Sequence, residues 1–215
     1  VGRNSFIENI DIDGVTGNGG DGIKIVGSRI GMRNVSVRNQ GGHGIRVGGS
    51  KGDNTNGWNF TNLFTVGNGL DGLHLHYGEE GNSDPPDVNA GILVWIDTRD
   101  NGRDGIHLGN TMDNTFLGVV SQHNGRYGVY VGDNARGNHF YNAYTELNGA
   151  GHTEEFYLAS GSRRNCVFGQ RSGIVYNSIK DEGKANFILT ATSEMSGTPY
   201  FLAIFLPISI SFSVS

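Results

Sequence analysis

The chain has 215 residues, enough for one domain with a sizeable core, and 36 of them are glycine, about 17% against a usual ~7%. Because 36% of the residues are hydrophobic and 10% are aromatic, the composition excludes a flexible linker. The net charge of −5, without any cluster of Lys or Arg, argues against a nucleic-acid partner.

The cysteine content limits the possible disulfides and metal sites, and the first residues bear on how the chain is processed. Cys166 is the single cysteine, which excludes an intrachain disulfide and a cysteine-based zinc site, and we expect neither a metal nor a cofactor. The sequence starts at Val1 without the layout of a signal peptide. We therefore expect a processed product or part of a longer protein.

A turn followed by a short strand recurs along the chain. The copies are GNGGDGIKIVG (17–27), NQGGHGIRVGG (39–49), GNGLDGLHLHYG (67–78), NGRDGIHLGN (101–110) and NGRYGVYVGD (124–133), and a sixth, TEEFYL (153–158), has Glu155 in the glycine position. The glycine before each strand recurs after 22, 28, 33 and 23 residues, a spacing typical of solenoids. No window carries a helical stripe, so helical and leucine-rich repeats are excluded.

Each unit also contains a second apolar stretch that ends in asparagine, at Asn39, Asn68, Asn101, Asn124 and Asn148. We predict an all-β fold, a right-handed parallel β-helix over residues 1–180, with strands of adjacent coils about 4.8 Å apart. The asparagines would stack into an internal ladder of side-chain amides, with glycines at positive φ nearby. A column of small hydroxyl residues would lie beside the ladder: Ser36, Thr65, Thr98, Ser121 and Thr145. Hairpin turns of an antiparallel sheet remain the alternative.

Two segments depart from the repeat. Residues 76–91, HYGEEGNSDPPDVNAG, are too long for a tight corner and contain Pro85 and Pro86, so we predict a protruding loop. Residues 181–215 are predicted to form a strand-rich cap or oligomerisation segment, because the tail YFLAIFLPISISFSVS (200–215) is apolar and then alternates with serine. The tail is too short for a transmembrane helix, so we expect no membrane insertion.

Outward residues of the repeated strands should form columns. In the pattern G-I-x-I, x reads Lys24, Arg46, His74, His107, Tyr130 and Tyr157, and the position two before the first apolar residue reads Asp21, His43, Asp71, Asp104, Tyr127 and Glu154. Such a face matches an extended polysaccharide, with a merely solvated face as the alternative. Asp71 and Asp104 would lie about 5 Å apart, as in a retaining glycosidase, unless each only caps its own turn.

A second candidate site lies in GILVWIDTRDNG (91–102). If Ile92, Val94 and Ile96 face inward, the outer face holds Trp95, Asp97 and Arg99, with Gln122 and Glu146 in the column of Arg99. We predict Asp97 and Glu146 as an acid–base pair. The predicted substrate-binding residues are Trp95, Arg99, His74, His107 and Tyr130. An ordinary ion pair between Asp97 and Arg99 is the alternative.

The repeated units cover about residues 17–176 and resemble the pectin-lyase-like superfamily of right-handed β-helices. The segment around His43 is similar to the Gly-His-Gly of polygalacturonases, Trp95-Ile96-Asp97-Thr98 to the Trp-Ile-Asp-His of pectate lyases, and Tyr77-Gly78 with Asp84-Pro85 to the Tyr-Gly…Asp-Pro-His of mannuronan epimerases. Each catalytic set is broken here, at Gly20, Thr98 and Pro86 respectively. No family's activity is therefore carried over.

A looser resemblance is to bacteriophage tailspike and tail-fibre receptor-binding proteins, whose Gly/Asn-rich coils are irregular in the same way. It implies an extracellular homotrimer on the virion tail, in contact with other tail proteins, that binds and often depolymerises bacterial surface polysaccharide. Two alternatives to such a hydrolase or lyase remain. One is a secreted bacterial polysaccharide lyase or epimerase, and the other is a non-catalytic adhesive or structural module.

Overall fold

The computed structural model describes residues 3–15, 17–49, 54–78, 87–149, 155–172 and 179–190, and all regular elements in these ranges are β-strands. The strands are β1 (Phe6–Asp13), β2 (Ile23–Ile25), β3 (Gly31–Arg38), β4 (Ile45–Val47), β5 (Thr55–Asn56), β6 (Asn59–Val66), β7 (Leu73–Leu75), β8 (Val88–Asn89), β9 (Ile92–Arg99), β10 (Ile106–Leu108), β11 (Thr111–Met112), β12 (Thr115–Gln122), β13 (Val129–Val131), β14 (His139–Glu146), β15 (Phe156–Leu158), β16 (Cys166–Phe168), β17 (Arg171–Ser172), β18 (Ile179–Asp181) and β19 (Phe187–Leu189). None of these ranges contains a helix long and apolar enough to cross a membrane.

The strands form three parallel sheets, and the chain visits them in turn. The first sheet has the order β1-β3-β6-β9-β12-β14-β16-β19, with β17 beside β14. The second has the order β18-β15-β13-β10-β7-β4-β2, and the third is β11-β8-β5. Every strand pair is parallel, as between β7 and β10, so the antiparallel alternative is wrong and the predicted parallel β-helix is confirmed.

The core is a set of apolar columns that run through the coils. In the second sheet, the two inward positions of each strand stack Ile23, Ile45, Leu73, Ile106, Val129 and Phe156 in one column and Ile25, Val47, Leu75, Leu108, Val131 and Leu158 in the other. All of these side chains are buried. The alternation predicted from G-I-x-I therefore holds, because successive residues of a strand point to opposite faces.

The eight-residue strands of the first sheet do not alternate throughout. Each long strand contains one residue with positive φ, at Asn34, Asn62, Trp95, Gly118 and Asn142 in successive strands from β3 to β14. The left-handed residue shifts the alternation by one position. In β9 it makes Leu93 and Ile96 buried, whereas Ile92 and Val94 are 45% and 39% exposed. The prediction that Ile92 and Val94 face inward is therefore wrong.

The predicted asparagine ladder is present in four of its five positions. Asn68, Asn101 and Asn124 each donate from Nδ2 to the Oδ1 of the next asparagine, at 2.8–2.9 Å, and Asn148 donates to the Glu155 carboxylate. Asn39 is not a member: the backbone N–H of Gln40 donates to Asn68 Oδ1 in its place. The predicted column of hydroxyl residues is also offset by one residue in this coil, because Val37, not Ser36, pairs with Thr65.

A second ladder was not predicted. Asn114, Asn138 and Asn165 donate in turn to the next asparagine at 3.0–3.1 Å, ending at Asn186. The backbone N–H groups of the same residues also donate along the ladder. Side-chain amides thus satisfy backbone groups at two corners of the coils that contain both ladders, where no strand pairing is available.

The glycine before each repeated strand is required by close packing. A Cβ on Gly105 would collide with the hydroxyls of Thr98 and Ser121 and would lie 2.7 Å from the carbonyl oxygen of Gly128. Since Gly105 is not among the residues with positive φ, lack of space, not backbone conformation, explains this glycine.

The two segments that depart from the repeat are only partly described. In the predicted loop 76–91, residues 79–86 lie outside the described residues, but Val88–Asn89 forms β8 and pairs with β5 and β11. Part of the predicted loop is therefore a strand of the third sheet. In the predicted C-terminal segment, β19 pairs with β16, and residues 191–215 lie outside the described residues. The division at residue 180 stays a prediction.

Candidate functional site

The structure divides the predicted site residues between two surfaces. The second sheet holds His74, His107 and Tyr130, which occupy paired positions on β7, β10 and β13 as predicted. The first sheet holds Trp95, Asp97 and Arg99 on β9 and Glu146 on β14.

Imidazole and phenol rings follow one another along the outer face of the second sheet. Ring centroids are 4.1 Å apart between His43 and His74, 4.8 Å between His74 and His107, 4.7 Å between His107 and Tyr130, and 5.6 Å between Tyr130 and Tyr157. We call these five residues the ring column. Because the rings cover one another, His74 and His107 are only 3% and 6% exposed although their positions point outward.

Asp71 lies beside the ring column and is fully buried. Its carboxylate accepts hydrogen bonds from Arg103 Nε at 2.7 Å and from Arg103 Nη2 at 2.5 Å, and one oxygen lies 2.8 Å from His74 Nδ1. The backbone N–H of Asp104, in the next coil, donates to the same carboxylate at 3.0 Å. The carboxylate therefore joins two coils and fixes the orientation of His74.

The next coil repeats this arrangement. Asp104 is fully buried, accepts a 2.8 Å hydrogen bond from Arg126 Nε and lies 2.9 Å from His107 Nδ1. The guanidinium of Arg126 also lies over the rings of Tyr127 and Tyr130, at 5.1 and 4.6 Å from their centroids. Arginine in each case reaches back one coil to the aspartate, so two copies of one Asp–His–Arg group lie side by side.

The surroundings set the protonation states of the first group. Burial would raise the pKa of Asp71, but the hydrogen bonds from Arg103 and His74 outweigh it and hold that pKa well below its usual range. Burial lowers the pKa of His74 to about 3, against the opposing effect of the Asp71 carboxylate. Since an ionised carboxylate only accepts hydrogen bonds, Nδ1 of the neutral His74 carries the proton and Nε2 keeps its lone pair.

Two sets of side chains resemble metal ligands by distance alone. Ligand-type atoms of His43, Asp71 and His74, and of Asp71, Asp104 and His107, lie within 4.8 Å of one another. Both carboxylates already receive two hydrogen bonds from an arginine, which puts a fixed positive charge where a cation would bind. The donor set therefore favours an ion-pair network over a metal centre.

On the first sheet, Asp97 and Arg99 form a bidentate ion pair, with Oδ1–Nε and Oδ2–Nη2 distances of 2.6 and 2.7 Å. Glu146 accepts a hydrogen bond from Gln122 at 2.7 Å. In the strand register Arg99, Gln122 and Glu146 are in line, so Asp97 and Glu146 are two strands and two residues apart, about 12 Å between Cα atoms. Their role as acid and base stays a prediction.

Arg103 and Arg126 are the site residues that the sequence analysis missed. Both follow an Asn-Gly corner, in NGRDG and NGRYG, and both come directly before the column of Asp104 and Tyr127. The spacing of the coils was sufficient to place each arginine beside the aspartate of the preceding coil. The repeat therefore contains the signal, at the position directly before the column of Asp104 and Tyr127.

Two solved structures share this fold. The A-module of the mannuronan C-5 epimerase AlgE4 from Azotobacter vinelandii matches with a TM-score of 0.59 and 22% identity, over 85% of this chain and 54% of that chain. A double mutant of the periplasmic alginate epimerase AlgG matches with a TM-score of 0.51 and 16% identity, over 88% of this chain and 43% of that chain. At these identities the likeness shows the fold alone, and this chain spans about half the length of either protein.

The comparisons therefore support the parallel β-helix fold and nothing finer. Neither of the two structures is a tailspike protein. No protein-family profile matches the chain, and no curated protein matches its sequence.

Proposed function

We propose that the chain binds an acidic polysaccharide along the ring column and modifies it by proton transfer at the carbon next to a uronate carboxyl group. The observation that carries the proposal is the repeated Asp–His–Arg group beneath a row of cations and phenols. Both fold neighbours are named as epimerases, of mannuronan and of alginate, which supports a polysaccharide as substrate.

Cationic side chains follow the ring column although the whole chain has a net charge of −5. Lys24 and Arg46 continue the column beyond His74, and Lys180 continues it beyond Tyr157. The side chains of Arg103 and Arg126 keep 26% and 41% of their surface exposed, so each guanidinium is accessible while it holds its aspartate. A polymer laid along the solenoid axis would meet exposed cationic N–H donors at several coils, which suits repeated carboxylates.

His107, Tyr130 and Arg126 supply the groups that this chemistry requires. Asp104 accepts from His107 Nδ1, which leaves Nε2 as the ring atom that would take a proton from the sugar carbon. The exposed N–H groups of Arg126 would donate to the uronate carboxyl group and so stabilise the carbanion. Burial raises the pKa of Tyr130, so its phenol stays protonated at neutral pH and can donate a proton. Return of a proton to the same carbon from the opposite face gives an epimer, and loss of the neighbouring glycosidic oxygen gives an unsaturated product.

The experiment is hydrogen exchange from D2O into polymannuronate, polyguluronate and polygalacturonate. Proton removal next to the carboxyl group leaves deuterium there, detected by NMR, and elimination adds an ultraviolet-absorbing double bond. We expect one of these signals with one polymer, its loss in Tyr130→Phe, and its retention in Tyr141→Phe, a matched change on the first sheet. The absence of exchange, elimination and binding with all three polymers would contradict the proposal.

The tailspike resemblance gives a second candidate, a homotrimer that binds and depolymerises bacterial surface polysaccharide on a virion tail. The observation that favours it is an outward apolar column on the first sheet, in which Val94, Leu117 and Leu189 are 39%, 38% and 53% exposed. Apolar surface of this kind is typical of subunit interfaces. Light scattering tests it directly: a mass three times the 23.1 kDa of the chain supports the trimer, and a monomer contradicts it.

A further inference from the structure

Trp95 occupies a position in β9 at which the other long strands of the first sheet have asparagine or glycine. Across the first sheet the equivalent residues are Asn9, Asn34, Asn62, Trp95, Gly118 and Asn142, and all of them have positive φ. Asparagine and glycine adopt the left-handed conformation readily, whereas a bulky side chain does so at a cost. Strain of this kind is concentrated at binding sites, where a side chain must be held in one direction.

Tryptophan at this position also ends a hydrogen-bonded ladder. Asn62 Nδ2 donates to Asn34 Oδ1 and Asn34 Nδ2 donates to Asn9 Oδ1, each at 2.9 Å. An asparagine at 95 would extend this ladder by one coil, and an indole cannot. Trp95 therefore stabilises the fold less than the asparagine that neighbouring strands have at the same position.

The indole lies against the next coil and remains accessible. Trp95 is 48% exposed, and a Cβ on Gly118 would lie only 3.1 Å from its Cε3 atom, so the absence of a side chain at 118 makes room for the ring. Along β9, the outward residue before Trp95 is Val94, which pairs with Leu117 of the next strand, and the next outward residue after it is Asp97, which is paired with Arg99. Trp95 is therefore flanked along the strand by apolar residues on one side and by hydrogen-bonding residues on the other.

We propose that Trp95 is a stacking platform for a neutral pyranose of a glycan, with Asp97 and Arg99 as hydrogen-bonding partners of its hydroxyl groups. A pyranose has an apolar C–H face and a rim of hydroxyls, which matches this arrangement. Asp97 pairs with Arg99, and Glu146 adds a second carboxylate two strands away, so these three residues carry more negative than positive charge and disfavour a uronate. This site is distinct from the second-sheet surface and does not rest on the function proposed for it.

Tryptophan fluorescence provides the assay, because the chain has two tryptophans and Trp58 is only 1% exposed. Iodide should therefore quench Trp95 selectively. The probes are maltohexaose, cellohexaose and mannohexaose, with polygalacturonate as the acidic comparison. We expect at least one neutral oligosaccharide to protect Trp95 from iodide. Protection by polygalacturonate alone, or by none of the four, would overturn the proposal.

Trp95→Asn separates a binding role from a structural one. We expect glycan affinity to fall at least about tenfold, as for loss of one aromatic stacking contact, while the melting temperature rises by about 2–4 °C through relief of strain and extension of the ladder. Gly118→Asn keeps the indole but fills its space, and should weaken binding as well. A lower melting temperature in Trp95→Asn with unchanged affinity would show that the tryptophan is structural.

A second copy of the chain on this face would also cover Trp95. In that case iodide protection would increase with protein concentration in the absence of glycan, and this result would overturn the proposal. Uronate exchange is measured in a separate assay, so failure of one proposal is distinguishable from failure of the other.

Discussion

Replacing Asp71 with asparagine tests whether the Asp–His–Arg group is a true buried ion pair. The amide keeps the size of the side chain but removes the charge that holds Arg103 through two hydrogen bonds and orients His74. Removal of one partner from a buried ion pair costs about 3–5 kcal/mol, because the other charge is left uncompensated. Since the Arg103 side chain keeps 26% exposure, water solvates part of that charge, and we expect about 3 kcal/mol.

Urea unfolding followed by circular dichroism measures this cost. Asp97→Asn is the matched control, because Asp97 also forms a bidentate pair, but with an arginine that is 46% exposed, and its loss should cost under about 1 kcal/mol. The double variant Asp71→Asn/Arg103→Gln should recover part of the loss, since it removes the unpaired charge as well. Equal costs for Asp71→Asn and Asp97→Asn would refute the reasoning.

Three further predictions concern the fold and its response to pH. Asn101→Ala removes donors to Asn124 and to the carbonyl of Thr65 and an acceptor for Asn68, so urea unfolding should show a loss of about 3 kcal/mol, and Asn39→Ala, outside the ladder, should cost under about 1 kcal/mol. Gly105→Ala should destabilise by about 2 kcal/mol or more because its Cβ meets Thr98, Ser121 and Gly128, and an unchanged unfolding midpoint would contradict that packing. His74 has a pKa of 6.5 in a model peptide and about 3 in the fold, so the unfolded chain binds the extra proton and stability is lost as pH falls from about 6.5 towards 3, by up to about 1.4 kcal/mol per pH unit. Asp71, whose pKa is lowered, adds to the loss once the pH falls below its unfolded value of 3.8, and unfolding free energies measured from neutral to acid pH in the wild type and in His74→Gln should show a shallower decline in the variant.

The parallel stacking was predictable because the repeat is strong and local. Glycine, an apolar residue and a second apolar residue recur with irregular steps but constant internal spacing, and the register of Leu73, Ile106 and Val129 follows from that spacing. The one-residue offset of Asn39 from the asparagine ladder has a local cause. In that coil Gln40 intervenes between the asparagine and the glycines, and its backbone N–H takes the ladder position.

The left-handed residue in the middle of each long strand was not predicted, although asparagine at 34, 62 and 142 is a sign of it. Strict alternation of inward and outward side chains gives the wrong burial for β9. In that strand tryptophan replaces the asparagine that indicates a left-handed residue in the neighbouring strands. One such residue reverses which side chains are buried, because the side-chain period of a strand is two. The burial of the side chains around Trp95 therefore could not be predicted from the sequence and follows only from the structure.

The position of the Asp–His–Arg groups along the solenoid has a simple physical reason. An aspartate in this column becomes a buried ion pair only if the next coil supplies an arginine one residue before the same column. Asp71 meets Arg103 and Asp104 meets Arg126 in this way. Asp21 meets Gly42 at that position, and its carboxylate lies 3.8 Å from Arg46 and stays 19% exposed. A Cβ on Gly42 would lie 2.7 Å from Asp21 Oδ1, so arginine does not fit there without a shift of the corner. The site is thus confined to coils whose successor carries the arginine, and the sequence locates it only when the residue before the column is compared between successive coils.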